Sequence, residues 1–129
     1  MKIAYVFSTS GRTATYKLGA MILPQMEDGN HGAEVVAMFF FDDNNFILRK
    51  GDPIGERLAK IATEKGIRLI SCSQCSMERS LAEGDCAGEG CCTFKKPDAV
   101  HCVSGVTCGC WPDFYKACEE AGVDHIVSL

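Results

Sequence analysis

Two cysteines stand three positions apart in the segment LISCSQCSMERS, residues 69–80. A short apolar run ends at Ser71, and the spacing of the next residues predicts the first turn of a helix that carries Cys72 and Cys75. Ser71 and Gln74 fit a capping box, which would put Cys72 at the first helical position. The N–H groups and the positive dipole end of a helix N-terminus favour a thiolate, so we expect the lowest cysteine pKa at Cys72.

Further cysteines lie in two other segments, EGDCAGEGCCTF and VTCGCWPDF. They are Cys86, Cys91, Cys92, Cys108 and Cys110. Four thiolates drawn from these five cysteines and from Cys72 and Cys75 form a candidate zinc site or a ligand set for an iron–sulfur cluster, although the C-x-x-C half-site of Cys72 and Cys75 occurs only once. With Cys72 and Cys75, up to seven cysteines are expected along one surface. Cys102, in a predicted strand, and Cys118, on an apolar helical face, are expected to be buried core thiols with raised pKa values.

The bulk composition excludes several classes of function. The chain has 129 residues and a hydrophobic fraction of 47%, which is typical of a globular protein. Its net charge is -4, whereas proteins that bind nucleic acid carry an excess of positive charge on the binding surface. No run of basic residues suggests a membrane surface, and no segment approaches the ~20 apolar residues of a membrane span. The N-terminal apolar run is too short for a signal peptide, so we expect a cytoplasmic protein. In a reducing compartment, nine cysteines indicate redox work, sulfur transfer or metal binding.

Alternating strands and helices position these residues. Strands are predicted over 3–7, 34–41, 67–70, 99–106 and 123–128, with a short extended piece over 46–48, and helices over 13–27, 53–65, the cysteine-pair segment and 113–121. This alternation predicts right-handed βαβ units and a single α/β domain over 1–129, a three-layer α/β/α sandwich with a five-stranded, mainly parallel sheet. A Cys-rich insertion is expected near 84–98. Ligands of such sheets lie outside the carboxyl ends of the strands.

The turn after the first strand offers a different chemistry. Its sequence STSGRT resembles the phosphate loop of flavodoxins, which makes Ser10, Gly11 and Thr13 candidate ligands of a flavin mononucleotide phosphate. A helix N-cap region also favours Ser, Thr and Gly. The chain lacks recognisable aromatic-bearing loops to sandwich the flavin ring, which argues against FMN.

Taken in order, several segments resemble the DsrE/DsrF (TusD-like) family of sulfur-trafficking proteins. They are the opening strand with its hydroxyl and glycine turn, GAEVVAMFFFDD, KGIRLISC and the ending WPDFYKACEEAGVDHIVSL. The resemblance implies that the cysteine just past strand 3, here Cys72, accepts a persulfide and passes it on. It also implies a homo-oligomer, a trimer or a hexamer. Cys75 and the loop cysteines exceed what a simple sulfur carrier needs, so the chain would be a Cys-rich variant.

These residues support three hypotheses. The first is an intracellular sulfur carrier or sulfurtransferase, in which Cys72 attacks a donor persulfide and Cys75 or a loop cysteine resolves it. Its partners would be persulfide donor and acceptor proteins, with no nucleic acid and no membrane. The second is a thiolate metal-binding protein holding zinc, a soft metal or an iron–sulfur cluster. The third is a dithiol oxidoreductase, because C-x-x-C at a helix start after a strand is also typical of thioredoxin.

Overall fold

A computed structural model describes residues 1–9, 12–86 and 95–129 of the chain. Its strands are β1 (Lys2–Phe7), β2 (Glu34–Phe40), β3 (Arg68–Cys72), β4 (Val106–Gly109) and β5 (His125–Ser128). Its α-helices are α1 (Leu23–Glu27), α2 (Pro53–Lys65), α3 (Ser73–Glu78) and α4 (Trp111–Ala121). A π-helical segment, Thr13–Ile22, leads into α1, and a 3-10 helix covers Asp42–Leu48. Most of the insertion predicted near 84–98 lies outside the described residues.

The five strands form one parallel sheet in the order β4-β3-β2-β1-β5. From β1 to β4 the chain moves stepwise across the sheet, and it then returns to place β5 beside β1. Because parallel crossovers are right-handed, connections that run in opposite directions lie on opposite faces. The π-helical segment, α1 and α2 therefore pack on one face, called face one, and α4 packs on face two. This confirms the predicted three-layer α/β/α sandwich. The strand order differs from the 2-1-3-4-5 order of flavodoxin.

Each face of the sheet has its own apolar cluster, because alternate strand residues point to opposite sides. Face one buries large side chains that include Phe7, Leu18, Leu23, Met38, Phe40, Leu58 and Leu69. Face two buries Ala4, Val6, Ala37, Phe39, Ile70, Cys72, Cys75, Phe114, Ala117 and Cys118. Burying a phenylalanine of this size contributes roughly 1.5–3 kcal/mol. The cysteine pair, defined as Cys72 and Cys75, therefore belongs to the core of face two.

Helix α2 shows how local sequence signals set the elements. Asp52 precedes it, and its Oδ1 accepts hydrogen bonds from the N–H groups of Ile54 (2.9 Å) and Gly55 (3.1 Å). Pro53 occupies the first helical position, where its missing N–H costs nothing. Gly66 ends the helix with a φ of 71°, a left-handed conformation that glycine adopts without steric cost. The predicted bounds of this helix are confirmed.

Two predicted strands are wrong. The extended piece expected over 46–48 belongs to the 3-10 helix. The strand expected over 99–106 begins only at Val106, and the preceding residues form turns that include an isolated bridge between Arg49 and Cys102. Cys102 and Val103 are 2% exposed, so their apolar character reflects burial in a packed loop rather than pairing in the sheet.

Within the described ranges, no helix has both the length and the apolar character needed to cross a lipid bilayer.

Candidate functional site

The cysteine pair lies at the carboxyl edge of the sheet, where β3 turns into α3. Cys72 is the last residue of β3 and the N-cap of α3, and Cys75 is the third helical residue. Their exposed fractions are 5% and 8%. The helix thus begins one residue later than predicted, and the capping box is not formed. The Ser71 Oγ hydrogen bonds with the Ser76 Oγ instead, and the Gln74 Nε2 donates to the Glu78 Oε1 at 2.9 Å.

The Cys75 sulfur accepts hydrogen bonds from two directions. The backbone N–H of Asp42, the residue that opens the 3-10 helix, donates to it at 3.2 Å. The Cys72 side chain also hydrogen bonds to it, and this bond is the largest contribution to a Cys75 pKa lowered from 9.0 to about 7. Burial opposes the shift, the Asp42 N–H assists it, and the Asp42 carboxylate opposes it. These contacts lower the pKa of Cys75, whereas the lowest pKa predicted from the sequence was that of Cys72.

Arg79 supplies positive charge from the same helix. Its Nη1 donates to the backbone oxygen of Cys75 at 3.2 Å, and its charge adds to the lowering of the Cys75 pKa. The guanidinium is fixed by Asp43, whose Oδ1 accepts from Nε at 3.0 Å. Arg12, in the turn after β1, instead places its guanidinium over the Tyr16 ring, 5.1 Å from the centroid.

Buried hydroxyl groups hold α3 against the ends of β3 and β4. Ser71, Ser73 and Ser76 are all 0% exposed. The Ser76 Oγ donates to the backbone oxygen of Cys72 at 2.8 Å, and the Ser73 Oγ donates to the backbone oxygen of Gly109 at 3.2 Å. Because buried polar groups are costly when left unpaired, these bonds fix the first turn of the short helix and with it the position of the cysteine pair.

Of the other cysteines predicted for the edge, Cys108 lies on the opposite face of the sheet from Cys72, because it pairs with Ser71. Cys108 lies within β4, not after it, and is buried; burial raises its pKa, against a hydrogen bond from Ser76. Cys110 is the N-cap of α4, where its backbone N–H donates to the Asp113 Oδ2 at 2.8 Å. Cys86 is exposed and disulfide-bonded. Cys91 and Cys92 lie outside the described residues.

Among the described residues, no group of three or more His, Cys, Asp and Glu side chains is arranged to hold a metal ion. Within that part of the chain, the structure therefore assembles no ligand set for zinc or for an iron–sulfur cluster.

Cys102 and Cys118 are buried thiols, as the sequence predicted. Their exposed fractions are 2% and 7%. Burial raises the pKa of Cys102 to about 11, with the charge of Cys108 adding to the shift, and burial also raises the pKa of Cys118. Both thiols therefore stay protonated near neutral pH.

The turn after β1 is described only in part. Ser10 and Gly11 lie outside the described residues. Thr13, the third candidate flavin ligand, is 5% exposed and begins the π-helical segment. At the same turn, the N–H groups of Ser8 and Thr9 donate to the backbone oxygen of Leu129 at 2.8 and 3.0 Å.

Asp42, which lies between the predicted strand over 34–41 and the extended piece predicted over 46–48, was not among the predicted site residues. Its φ of 52° is unusual for a residue other than glycine, and such strain concentrates at functional sites. The neighbouring Asn44 bridges strand ends through Nδ2, which donates to the backbone oxygens of Phe7 (3.3 Å), Thr9 (3.1 Å) and Phe41 (3.0 Å). Consecutive strands are usually neighbours in a parallel sheet, so the turn after strand 2 is expected to lie beside the end of strand 3. This rule could have placed Asp42 next to the cysteine pair.

A second unusual residue of this segment is Asn45. It is 0% exposed, and both polar atoms of its amide lack a hydrogen-bond partner within the described structure.

Solved structures share this architecture. The chain is similar to the ychN protein from E. coli, with a TM-score of 0.59 and 13% identity over 99% of this chain and 97% of that one. It is similar to MTH1491, a protein of unknown function from Methanobacterium thermoautotrophicum, with a TM-score of 0.61 and 10% identity over 99% and 98% of the two chains. These likenesses establish the fold. A third, BT1422 from Bacteroides thetaiotaomicron, has a TM-score of 0.56 and 11% identity over 99% and 94%.

The sequence matches no protein-family model and no curated protein. At 10–13% identity, a shared fold does not by itself indicate a shared activity, so function has to be argued from the cysteine pair.

Proposed function

We propose that the cysteine pair carries sulfane sulfur, as a persulfide, from a donor protein to an acceptor protein. The observation that carries this proposal is the Cys75 sulfur, which accepts hydrogen bonds from Cys72 and from the Asp42 N–H and has a pKa of about 7. A thiolate is the form of cysteine that attacks sulfur, and a thiol with a pKa near ambient pH is the best attacking group. The resemblance to the DsrE/DsrF family points to the same chemistry. The likeness to solved structures concerns the fold alone.

The transfer needs no further reactant. The Cys75 thiolate attacks the outer sulfur of a donor persulfide, forming a new S–S bond as the donor S–S bond breaks. The donor leaves as a thiolate, and Cys75 becomes a persulfide. An acceptor thiolate then attacks the outer sulfur of this persulfide, which breaks the bond to Cys75 and restores its thiolate. Sulfur moves between the three sites with no net change of oxidation state.

Cys72 has two uses in this scheme. Before transfer, its thiol hydrogen bonds to the Cys75 sulfur and stabilises the anion. After transfer, when no acceptor is present, the Cys72 sulfur can attack the Cys75 sulfur, form an intramolecular disulfide and release hydrogen sulfide. The resemblance implies Cys72 as the carrier, whereas the lowered pKa favours Cys75 for the first attack, so the pair is the unit of function.

The apolar surroundings suit a reactive sulfur. Phe39, Ile70 and Phe114 belong to the same buried cluster as the pair, and Trp111 packs edge-on against Phe39 with ring centroids 5.3 Å apart. Such surroundings keep water and oxidants away from a persulfide. We also propose a cytoplasmic setting, and a homo-oligomer as the resemblance implies.

Mass spectrometry of the protein after incubation with a persulfide donor tests the proposal. We expect an adduct with the mass of one sulfur atom in C72S, which keeps Cys75 but cannot displace the bound sulfur as hydrogen sulfide, and its loss in the double variant C72S/C75S. The matched control is C72S/C118S, which removes a buried thiol from the same cluster and should keep the adduct. Stoichiometric sulfur uptake by C72S/C75S would refute the proposal.

The same pair supports a second candidate, a dithiol oxidoreductase, because the hydrogen bond between Cys72 and Cys75 also favours thiol–disulfide exchange. The two functions differ in what the protein retains. An oxidoreductase would reduce a disulfide substrate and leave the pair oxidised, and its C72S variant would form no adduct with the mass of one sulfur atom after incubation with the persulfide donor.

A further inference from the structure

The residue that opens the 3-10 helix contacts the Cys75 sulfur with both its backbone and its side chain. The Asp42 N–H lies 3.2 Å from this sulfur, and the Asp42 Oδ1 lies 3.9 Å from it. The two residues are 33 positions apart in sequence and meet because β2 and β3 are neighbours in the sheet. Asp42 therefore presents a hydrogen-bond donor and a negative charge to one sulfur atom.

The backbone of Asp42 is held in an unusual conformation. Its φ of 52° lies in the left-handed region, which L-residues other than Asn and Asp rarely adopt. Neighbouring contacts on both sides supply the constraint. Phe41 donates its N–H to the Phe7 backbone oxygen at 2.9 Å, and Asp43 receives the Arg79 guanidinium. These contacts fix the direction of the Asp42 N–H toward Cys75.

The carboxylate acts against the N–H. A negative charge beside a thiolate disfavours the anion. The Asp42 carboxylate is also close enough to accept a hydrogen bond from the protonated thiol. Among the described residues, the other groups near Cys75 are the Cys72 thiol, Arg79, whose charge favours the anion, and Cys118 of α4, a buried and protonated thiol of the same cluster. Asp43 and Glu78 are both ion-paired with Arg79. Asp42 is thus the acidic side chain placed to oppose the thiolate directly.

We propose that Asp42 is a positioning residue that makes Cys75, rather than Cys72, the nucleophile of the pair. Its N–H holds the sulfur as the anion, and the negative charge of its carboxylate limits how far the anion is stabilised. This role of Asp42 rests on the proposed function for its biological meaning. It concerns the reactivity of the Cys75 thiol, however, and can be tested without any persulfide.

The test measures the rate of alkylation of Cys75 by iodoacetamide against pH, with peptide mapping to locate the label. Two variants separate the roles of Asp42. D42N keeps the N–H and tolerates the left-handed backbone but removes the charge. We expect the midpoint of the D42N profile to fall by about half a pH unit, which raises the thiolate fraction about threefold well below the midpoint. D28N, which neutralises an exposed carboxylate outside the site, should leave the profile unchanged.

The backbone role is tested by comparing D42G with D42A. Both lack the carboxylate, but glycine adopts the left-handed conformation freely, whereas alanine resists it. We expect a higher midpoint in D42A than in D42G, because relaxation of the backbone turns the N–H away from the sulfur. Circular dichroism checks that each variant is folded, and if D42A does not fold, D42N alone decides the role of the carboxylate.

Each result bears on the proposal. An unchanged midpoint in D42N, or preferential early labelling of Cys72 in the unmodified sequence, would overturn it, and equal midpoints in D42G and D42A would overturn the role of the N–H. Failure of the protein to take up sulfur would refute the proposed function but leave these profiles, and the role of Asp42 in thiol reactivity, unaffected.

Discussion

Cys72 and Cys108 lie on opposite faces of the sheet, although they stand at the ends of two neighbouring strands. The register of β3 and β4 pairs Ser71 with Cys108 and Cys72 with Gly109. Because paired residues point to the same face and successive residues alternate, Cys72 points into face two and Cys108 into face one. Cys108 is in contact there with Ser76. Because Cys108 pairs with Ser71 rather than with Cys72, it lies on the other side of the sheet from the cysteine pair.

Mild oxidation should therefore link Cys72 to Cys75 and not to Cys108. The two sulfurs of the pair already hydrogen bond, whereas the backbone of β3 separates Cys72 from Cys108. We expect non-reducing peptide maps of diamide-treated protein to show the Cys72–Cys75 disulfide. The variant C75S should leave Cys72 reduced at the same dose. A peptide that joins Cys72 to Cys108 would mean that the register of β4 is wrong.

Alkylation should label the cysteines in an order set by their environments. The Cys75 pKa of about 7 leaves about half of this thiol ionised at neutral pH, whereas burial holds Cys102 at about 11. With a limiting amount of iodoacetamide near neutral pH, peptide mapping should find label at Cys75 well before Cys102 or Cys118. Denaturant should abolish the difference. Native labelling of Cys102 ahead of Cys75 would contradict the assignment of the core.

The thiol pKa values also predict how stability changes with pH. The Cys75 pKa falls from 9.0 to about 7 on folding, so the unfolded chain binds more protons between these values, and the free energy of unfolding rises with pH there. The Cys102 pKa rises from 9.0 to about 11, so the free energy of unfolding falls as pH increases through that interval. Each group changes it by at most about 1.4 kcal/mol per pH unit.

Urea denaturation at a series of pH values tests this dependence. We expect a maximum in the free energy of unfolding near pH 9, the ordinary pKa of both thiols. C75S should remove the rise on the acid side, and C102A should reduce the fall on the alkaline side. A stability that decreases steadily above neutral pH in the unmodified sequence would show that Cys75 is not ionised in the folded protein.

Removal of the Ser76 hydroxyl should loosen the turn that carries the pair. In S76A the backbone oxygen of Cys72 and the Ser71 hydroxyl each lose a buried partner. A loss of this kind costs about 1–3 kcal/mol. The Cys108 pKa should rise further, since the Ser76 hydrogen bond lowers it. Urea denaturation measures the first effect, with S104A, which truncates an exposed serine, as the control. An S76A variant as stable as the parent would contradict it.

The sheet and its helices were predictable because their signals are local or follow from topology. Asp52, Pro53 and Gly66 mark the ends of α2 in the sequence, and alternation of strands and helices predicts the parallel sheet. The position of the cysteine pair at the carboxyl edge followed from the same rule. The placement of Cys72 and Cys108 on opposite faces of the sheet could not be predicted from this rule. It depends on where β4 begins, which was predicted near 99 and lies at Val106.

The lowered pKa of Cys75 was also beyond the sequence. A capping pattern favoured Cys72, but the pKa of Cys75 depends on a hydrogen bond between the two thiols and on an N–H from a different connection of the sheet. The unusual backbone of Asp42 depends in turn on contacts with β1 and with Arg79. Such contacts between distant segments exist only once the strands are paired.

Gly55 should be essential to the position of the 3-10 helix that begins at Asp42. A Cβ at this position would overlap the backbone oxygen of Ile47 in that helix and touch Val103. Neither backbone can yield without separating α2 from the 3-10 helix, so we expect G55A to destabilise the protein by roughly 1–3 kcal/mol. Gly19 is a matched comparison, because a Cβ there would meet the end of the Ile54 side chain, which can rotate away. G19A should therefore be nearly neutral, since alanine favours a helix over glycine by roughly 0.5–1 kcal/mol.

Because Ile47 and Asp42 share one short helix, displacement in G55A should also weaken the N–H bond to Cys75 and raise the midpoint of its alkylation profile, whereas G19A should leave it unchanged. Urea denaturation and alkylation of both variants measure these effects, and equal stability of G55A and G19A would refute the proposed packing of α2 on the site.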